Sequence, residues 1–276
     1  MKLGKNVTTL LVIAALALLV VAWLRYGLEP SMLYHPTSLG GTTPRDFALP
    51  YREVALETED GETLGAWWCP RPEREAPLLL FFHGNAGNRE DRLHNVAGLW
   101  RAGISVLIFD YRGYGGSTGR PSEAGLLADG LAAFDWLQKE TGSHDIVLFG
   151  RSLGAAVAAQ VAGKRPARAL ILESAFTSAP EMAKRVLPLP GIHLLVRSRF
   201  DTLAAVRNLA LPLLVIHGTQ DELVPFVMGK RIFDEAASSL KRFQPVQGGS
   251  HNDTYLVPGP AYYAWLSGFL DSLPRR

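Results

Sequence analysis

Residues 146–154, which read IVLFGRSLG, decide the fold class of this chain. An apolar run leads into a Gly-x-Ser-x-Gly turn, and small residues typical of a closely packed helix continue from Leu153. A strand, a sharp turn and a helix in this order expose a serine side chain at the end of a buried strand. Glycines on both sides suit such a turn, because the backbones of helix and strand approach closely there. We predict that Ser152 is a catalytic nucleophile.

A second Gly-x-Ser-x-Gly match at residues 115–119 also follows an apolar run. Arg120 and Pro121 come next, however, and no helical pattern begins at Ser117. So short a motif recurs by chance, and its structural context has to decide between the two matches. We therefore predict a loop at residues 115–119.

A serine hydroxyl needs a base within hydrogen-bond reach and an acid that orients the base. In hydrolases with this turn, the acid and then the histidine follow the serine along the chain. Asp221 lies in the polar turn after the apolar run 213–217, and His251 lies in a Gly-rich loop before the final helical pattern. This order predicts Asp221 as the acid and His251 as the base, with Glu222 as an alternative acid.

Two other histidines compete with His251 by residue type alone. His217 ends the strand that leads to Asp221, which is the wrong place for the base. His83 lies before the serine in the chain and belongs to a different loop.

That loop, at residues 83–88, follows the apolar run 78–82 and predicts an oxyanion hole. Acyl transfer places negative charge on the carbonyl oxygen, and two backbone N–H groups can stabilise it. One comes from such a loop and the other from the residue after the nucleophile. We predict that the amides of Asn85 and Leu153 fill these roles, with Ala86 as an alternative to Asn85. An ordinary strand-to-helix turn is the competing interpretation.

Apolar runs alternate with helical patterns along the rest of the chain. Near-continuous Val, Ile and Leu runs indicate strands buried on both faces, and their alternation with helices indicates a parallel sheet. A turn signal at residues 59–61 predicts an antiparallel hairpin. We predict an α/β fold with a mostly parallel central sheet of about eight strands and helices on both faces. The predicted strands are 54–56, 64–68, 78–82, 105–109, 146–149, 169–172, 213–217 and 242–246, and a last helix covers 261–273.

Taken together, these motifs resemble those of the alpha/beta-hydrolase family. More narrowly, the chain resembles the membrane-anchored bud-emergence branch, whose relatives include acyl-protein and lipid hydrolases. The resemblance extends from about Leu33 to the end of the chain and implies the alpha/beta-hydrolase fold with a Ser152, Asp221 and His251 triad. It implies no particular substrate. The motifs that carry it are the turn at Ser152, the loop at 83–85, FDYRGYG at 109–115 and HGTQDELVP at 217–225.

An uncharged, apolar run of 18 residues occupies positions 7–24. As a helix it would be about 27 Å long, close to the thickness of the hydrocarbon core of a bilayer. We predict that residues 1–27 form an N-terminal membrane anchor and residues 28–276 the catalytic domain. A cleaved signal peptide is the alternative, although its apolar region is normally shorter. More positive charges precede the run than follow it, which predicts a catalytic domain outside the cytoplasm, in the periplasm if the source is a Gram-negative bacterium.

Composition and missing motifs exclude several other classes of protein. The net charge of +2, without any basic block, gives no support for nucleic-acid binding. Neither a phosphate-binding loop motif nor a HExxH zinc motif occurs, and the predicted chemistry requires no metal or organic cofactor. Cys69 is the only cysteine, so no disulfide can form within the chain.

About 40 residues separate the predicted strands 169–172 and 213–217, which is long for a crossover. Residues 175–211 predict a small lid whose apolar side lines an acyl pocket while its cations face phospholipid headgroups, and a plain crossover helix is the alternative. We predict a serine hydrolase that cleaves ester or thioester bonds of small-molecule, lipid or acylated substrates near a membrane. A peptidase or amidase on the same scaffold and a non-catalytic binding module are the alternatives.

Overall fold

The computed structural model describes residues 2–23, 27, 29–73 and 75–274. Within these ranges, eight strands form one central sheet, which agrees with the predicted number, and two short strands form a second sheet. The strands are β1 His35–Pro36, β2 Arg52–Glu57, β3 Thr63–Cys69, β4 Leu78–Phe82, β5 Ala86–Gly87, β6 Ser105–Phe109, β7 Ile146–Arg151, β8 Ala169–Glu173, β9 Leu213–Gly218 and β10 Lys241–Val246.

The strands of the central sheet follow the order β10-β9-β8-β7-β4-β6-β3-β2. All neighbours are parallel except β2–β3 and β3–β6, so the sheet is mostly parallel and the hairpin predicted at residues 59–61 is confirmed. In the second sheet, β1 pairs in parallel with β5. Because β7, β8, β9 and β10 are neighbours, the loops that follow them meet at one edge of the sheet.

The central strands are apolar along their length because both of their faces are covered. In β4, Leu80 and Phe82 pack into one core, whereas Leu79 and Phe81 pack into the other, and all four are fully buried. Successive side chains of a strand point to opposite faces. A strand between two layers of helices therefore has no polar face, which explains the continuous apolar runs in the sequence.

Helices cover both faces of the sheet, as predicted. The α-helices of the described residues are α1 Lys2–Trp23, α2 Glu29–Leu33, α3 Leu93–Arg101, α4 Glu123–Thr141, α5 Leu153–Ala162, α6 Ala179–Val186, α7 Ile192–Leu195, α8 Thr202–Val206, α9 Phe226–Glu235 and α10 Pro260–Asp271. Side chains of α4, α5, α8 and α9 pack into one core, and those of α3 and α10 pack into the other. The last helix, α10, begins one residue before the predicted range 261–273 and ends two residues before the end of that range.

The N-terminal anchor predicted for residues 1–27 is not supported by the structure. Helix α1 covers Lys2–Trp23 of the described residues, and residues 24–26, which include the end of the apolar run, lie outside them. Among the residues that the structure does describe, no helix is long and apolar enough to cross a membrane.

Candidate active site

The turn at Ser152 has the strained backbone that the sequence predicts. Ser152 follows β7 directly and adopts φ 53° and ψ −116°, a conformation that is costly for any residue with a side chain. A Cβ atom at Gly150 would lie 2.3 Å from the Gly154 carbonyl oxygen, and one at Gly154 would lie 2.1 Å from the Phe82 carbonyl oxygen. Only glycine fits at either position. The close packing of α5 on β7 and β4 therefore leaves Ser152 at the edge of the sheet.

Three side chains from distant parts of the sequence meet at this edge. The Oγ atom of Ser152 lies 3.1 Å from Nε2 of His251. On the other side of the ring, His251 Nδ1 lies 2.8 Å from Oδ2 and 3.1 Å from Oδ1 of Asp221. Such a carboxylate favours the tautomer with the proton on Nδ1, which leaves Nε2 free to accept the serine proton. The arrangement has the geometry of a general base poised on a nucleophile.

The environment of Asp221 keeps its carboxylate ionised. Burial alone would raise the pKa of Asp221, but hydrogen bonds from His217, His251 and the Val224 amide outweigh burial and hold this pKa well below its ordinary value. The amides of Leu223 and Val224 donate to Oδ1 at 3.0 and 2.8 Å. Because folding lowers this pKa, the anion stabilises the folded state at every pH above the ordinary pKa of an aspartate. This contribution decreases as the pH falls below that ordinary value, and it is lost as the pH falls through the lowered pKa.

The structure separates the competing residues from the serine. Glu222, the alternative acid, has an exposed side chain. His217 is fully buried behind Asp221, with Nε2 2.9 Å from the Val224 carbonyl oxygen and 3.4 Å from Oδ2 of Asp221. His217 therefore supports Asp221, a contact that the sequence interpretation missed. The spacing of four residues between the histidine and the aspartate was the only available signal.

His83 and Ser117 are structural residues in this arrangement. His83 is fully buried, and its burial, together with the charge of Arg92, lowers the pKa of its imidazole to about 3. The ring is neutral at physiological pH, and its Nδ1 lies 2.8 Å from the Gly84 carbonyl oxygen. Ser117 lies in a loop, as predicted, where its hydroxyl donates to the Asp110 carbonyl oxygen at 3.0 Å.

Asn85 and Leu153 lie beside Ser152 in the wall of one cavity. Leu153 is the first residue of α5, so its amide has no acceptor one turn earlier in the helix. The Asn85 carbonyl oxygen accepts hydrogen bonds from the Tyr114 hydroxyl at 2.8 Å and the His35 amide at 2.9 Å, which fixes the orientation of this loop. Ala86, the alternative donor, is not among the residues that line the cavity.

Arg151, the variable residue before the serine, holds the loop that carries His251. Its guanidinium donates to the His251 carbonyl oxygen at 2.7 Å and pairs with Glu173 at 3.2 Å. Glu173 is fully buried and also accepts hydrogen bonds from the hydroxyls of Thr254 and Tyr262. The sequence interpretation missed this network, because the motif leaves that position free.

The cavity next to Ser152 and His251 has a volume of about 340 Å³ and is lined mostly by apolar side chains. Several of these come from α6, α7 and the connection between them, within the predicted lid segment (residues 175–211): Ala179, Met182, Ala183, Val186, Leu187, Ile192 and Leu195. The polar lining outside the serine and histidine consists of Glu29 and Asn85. Among the described residues, no group of three or more His, Cys, Asp or Glu side chains could hold a metal ion.

A parallel sheet with a serine turn of this geometry defines the alpha/beta-hydrolase class, and comparison with known proteins agrees. Residues 77–200 match the model of the alpha/beta hydrolase fold family. Protein bem46 of Schizosaccharomyces pombe is 36% identical over 243 residues, which cover 83% of this chain and 79% of bem46. The chain belongs to the alpha/beta-hydrolase family, and the resemblance to the bud-emergence branch is confirmed.

One further relative and one solved structure carry names that describe an activity. Lysophosphatidylserine lipase ABHD12 of Danio rerio is 32% identical over 222 residues, which cover 67% of this chain and 58% of that lipase. The solved structure of the Pyrococcus furiosus esterase Pf2001 superimposes with a TM-score of 0.74 at 22% identity, over 87% of this chain and 98% of the esterase. The similarity to the Pf2001 structure shows the fold alone. The family and its lipase relative support a hydrolase of the esterase or lipase type.

Proposed function

We propose that this protein is a serine hydrolase that cleaves carboxylic ester or thioester bonds through an acyl-enzyme on Ser152. The observation that carries the proposal is the unbroken series of contacts from Ser152 through His251 to Asp221, which opens into an apolar cavity. A nucleophile, a base and an acid in contact are the parts that acyl transfer requires. A binding module would need none of these contacts.

In the proposed mechanism, His251 Nε2 takes the proton of Ser152 as Oγ attacks the substrate carbonyl carbon. The amides of Asn85 and Leu153 stabilise the resulting oxyanion. His251 then gives the proton to the departing alcohol or thiol, which leaves the acyl group on Ser152. Water, deprotonated by His251, releases the acid and restores the serine.

Lipid or acylated molecules are the proposed substrates. The apolar cavity suits an acyl chain, and a relative is named as a lysophosphatidylserine lipase. Leu189 and Leu194 of the lid segment, which do not line the cavity, are 62 and 72% exposed. The stretch 179–200 contains four Lys and Arg residues and one acidic residue. Apolar side chains among cations fit an anionic lipid surface.

Hydrolysis of p-nitrophenyl esters of increasing chain length by the full chain in detergent tests the proposed function. We expect measurable turnover, with medium and long acyl chains preferred over acetate. Cleavage of anilide but not ester substrates would replace the proposal by a peptidase or amidase. A protein that hydrolyses neither and does not react with a fluorophosphonate would contradict it.

Two adjacent leucines of the lid segment offer a matched pair of variants. Leu195 lines the cavity, whereas Leu194 points outward. Leu195→Asp should reduce kcat/KM for a decanoyl ester by about tenfold or more relative to acetate, because a carboxylate among apolar walls opposes the acyl chain. Leu194→Asp should leave this ratio unchanged on soluble esters. Equal loss on both esters in Leu195→Asp would contradict the assignment of the cavity to the acyl chain.

The compartment is proposed from the charges that flank the N-terminal run, which would place the catalytic domain outside the cytoplasm. A C-terminal alkaline phosphatase fusion tests this proposal, because the phosphatase is active only outside the cytoplasm, and we expect the fusion to be active. Activity only from a reporter that works in the cytoplasm would reverse the proposal.

A further inference from the structure

The segment before the first strand, α2, forms part of the cavity wall although it precedes the region of the family match. Glu29, Met32 and Leu33 of this helix all line the cavity that opens onto Ser152. Met32 and Leu33 suit an apolar wall, but a carboxylate does not. Glu29 therefore requires an explanation.

Both carboxylate oxygens of Glu29 are occupied by backbone amides of the lid segment. Oε2 accepts from the Arg197 amide at 2.7 Å, and Oε1 accepts from the Ser198 amide at 2.8 Å. These amides lie just after α7, within the lid segment. Hydrogen bonds to a carboxylate are about twice as strong as those between neutral groups. The carboxylate thus ties α2 to the part of the lid segment that follows α7.

A second carboxylate continues the same attachment. Glu123 accepts from the amides of Arg199 and Phe200 at 2.7 and 2.6 Å, so two glutamates bind four consecutive amides. Gln160 of α5 donates to Glu123 at 2.9 Å, which links this part of the lid segment to the helix that begins after Ser152. Residues 197–200 of the lid segment are therefore bound by α2 through Glu29 and by the start of α4 through Glu123.

The chain after α2 is also bonded to the loop that carries Asn85. The His35 amide donates to the Asn85 carbonyl oxygen at 2.9 Å, and β1, which begins at His35, pairs with β5, which follows Asn85. The side-chain amide of Asn85 lies 3.4 Å from the Leu33 carbonyl oxygen. One short stretch, residues 29–37, therefore contacts both the far wall of the cavity and the predicted oxyanion loop.

We propose that Glu29 is a positioning residue that sets acyl-chain selection: by binding the amides of Arg197 and Ser198, it fixes the cavity wall formed by α7 and the residues around it. The inference rests on the proposed ester hydrolase function. We expect an acetyl group to occupy only the space next to Ser152 and a long acyl chain to extend to this wall. Productive binding of the long chain would then depend on where the wall lies.

The test compares Glu29→Ala and Glu29→Gln with the wild type, using p-nitrophenyl acetate and decanoate and the full chain in detergent. We expect Glu29→Ala to reduce the decanoate-to-acetate ratio of kcat/KM by about tenfold, chiefly through KM, with acetate turnover retained. Glu29→Gln keeps one accepting oxygen, so its ratio should lie between those of the wild type and Glu29→Ala. This graded partial rescue separates a lost hydrogen bond from general damage, and the conservative variant remains available if alanine prevents folding.

Glu90→Ala is the matched control. Glu90 also binds two consecutive backbone amides, those of Gly40 and Gly41 at 2.6 and 2.8 Å, but it does not line the cavity. Its decanoate-to-acetate ratio should equal that of the wild type. An unchanged ratio in Glu29→Ala, or proportional loss on both esters, would overturn the inference while leaving the ester hydrolase intact. A wild-type protein without esterase activity and fluorophosphonate labelling would instead overturn the proposed function and this inference with it.

Discussion

Replacement of Ser152 by alanine is expected to reduce kcat for ester hydrolysis by about a millionfold, to the level left by binding and the oxyanion donors alone. Without Oγ no acyl-enzyme can form, and the neighbouring base has no proton to remove. The substitution shortens one side chain at the cavity wall, so the fold should persist. Hydrolysis of p-nitrophenyl esters and covalent labelling by a fluorophosphonate probe measure the effect, and both should disappear.

Ser117→Ala is the control for this experiment, because Ser117 is the serine of the second Gly-x-Ser-x-Gly match. Its hydroxyl accepts from the Gly65 amide at 3.0 Å and donates to a backbone carbonyl, away from the cavity. Labelling should survive this substitution. Persistent labelling of Ser152→Ala together with loss of labelling in Ser117→Ala would transfer the nucleophile to the other serine.

Asp221→Asn is expected to lower kcat by about ten-thousandfold with little change in KM. The carboxylate accepts from Nδ1 of His251, whereas an amide group can present its own N–H there and stabilise the tautomer with the proton on Nε2. That tautomer cannot accept the serine proton. Steady-state kinetics on a short ester measure the loss, and a slower reaction with the fluorophosphonate should accompany it.

Glu222→Gln makes the equivalent change one residue later and serves as the matched control. Its side chain is exposed, so kcat should remain within about twofold of the wild type. The asparagine variant also loses a buried anion that two backbone amides and two histidines stabilise, so thermal unfolding should be followed in parallel. A folded Asp221→Asn protein with wild-type kcat would exclude Asp221 as the acid.

Most of the fold could be predicted because its cause is local in the sequence. A strand covered on both faces, such as β4, has to be apolar at every position, and that requirement is visible without coordinates. The turn at Ser152 is equally visible as a local Gly-x-Ser-x-Gly motif, although the carbonyl oxygen that excludes a side chain at Gly154 belongs to Phe82 in β4. The chain order of the three site residues then followed from the positions of the late strands.

The residues that were missed act across long distances in the chain. Arg151 and the His251 carbonyl oxygen are 100 positions apart, and Glu29 and the Arg197 amide are 168 apart. Neither contact leaves a periodic pattern in the sequence, because each depends on how separate elements pack. The anchor prediction rested on hydropathy alone. The apolar composition of residues 7–24 does not show how that stretch lies in the folded protein.

The glycines around Ser152 also bear on how such a site can change over evolution. Backbone packing alone dictates where the side chain at position 152 emerges, whatever atoms that side chain carries. A thiol or a carboxylate introduced there would inherit the same location, and a new reaction would require no new architecture. Mutation of either flanking glycine offers no such freedom, because any added carbon would push the helix off the strands beneath it.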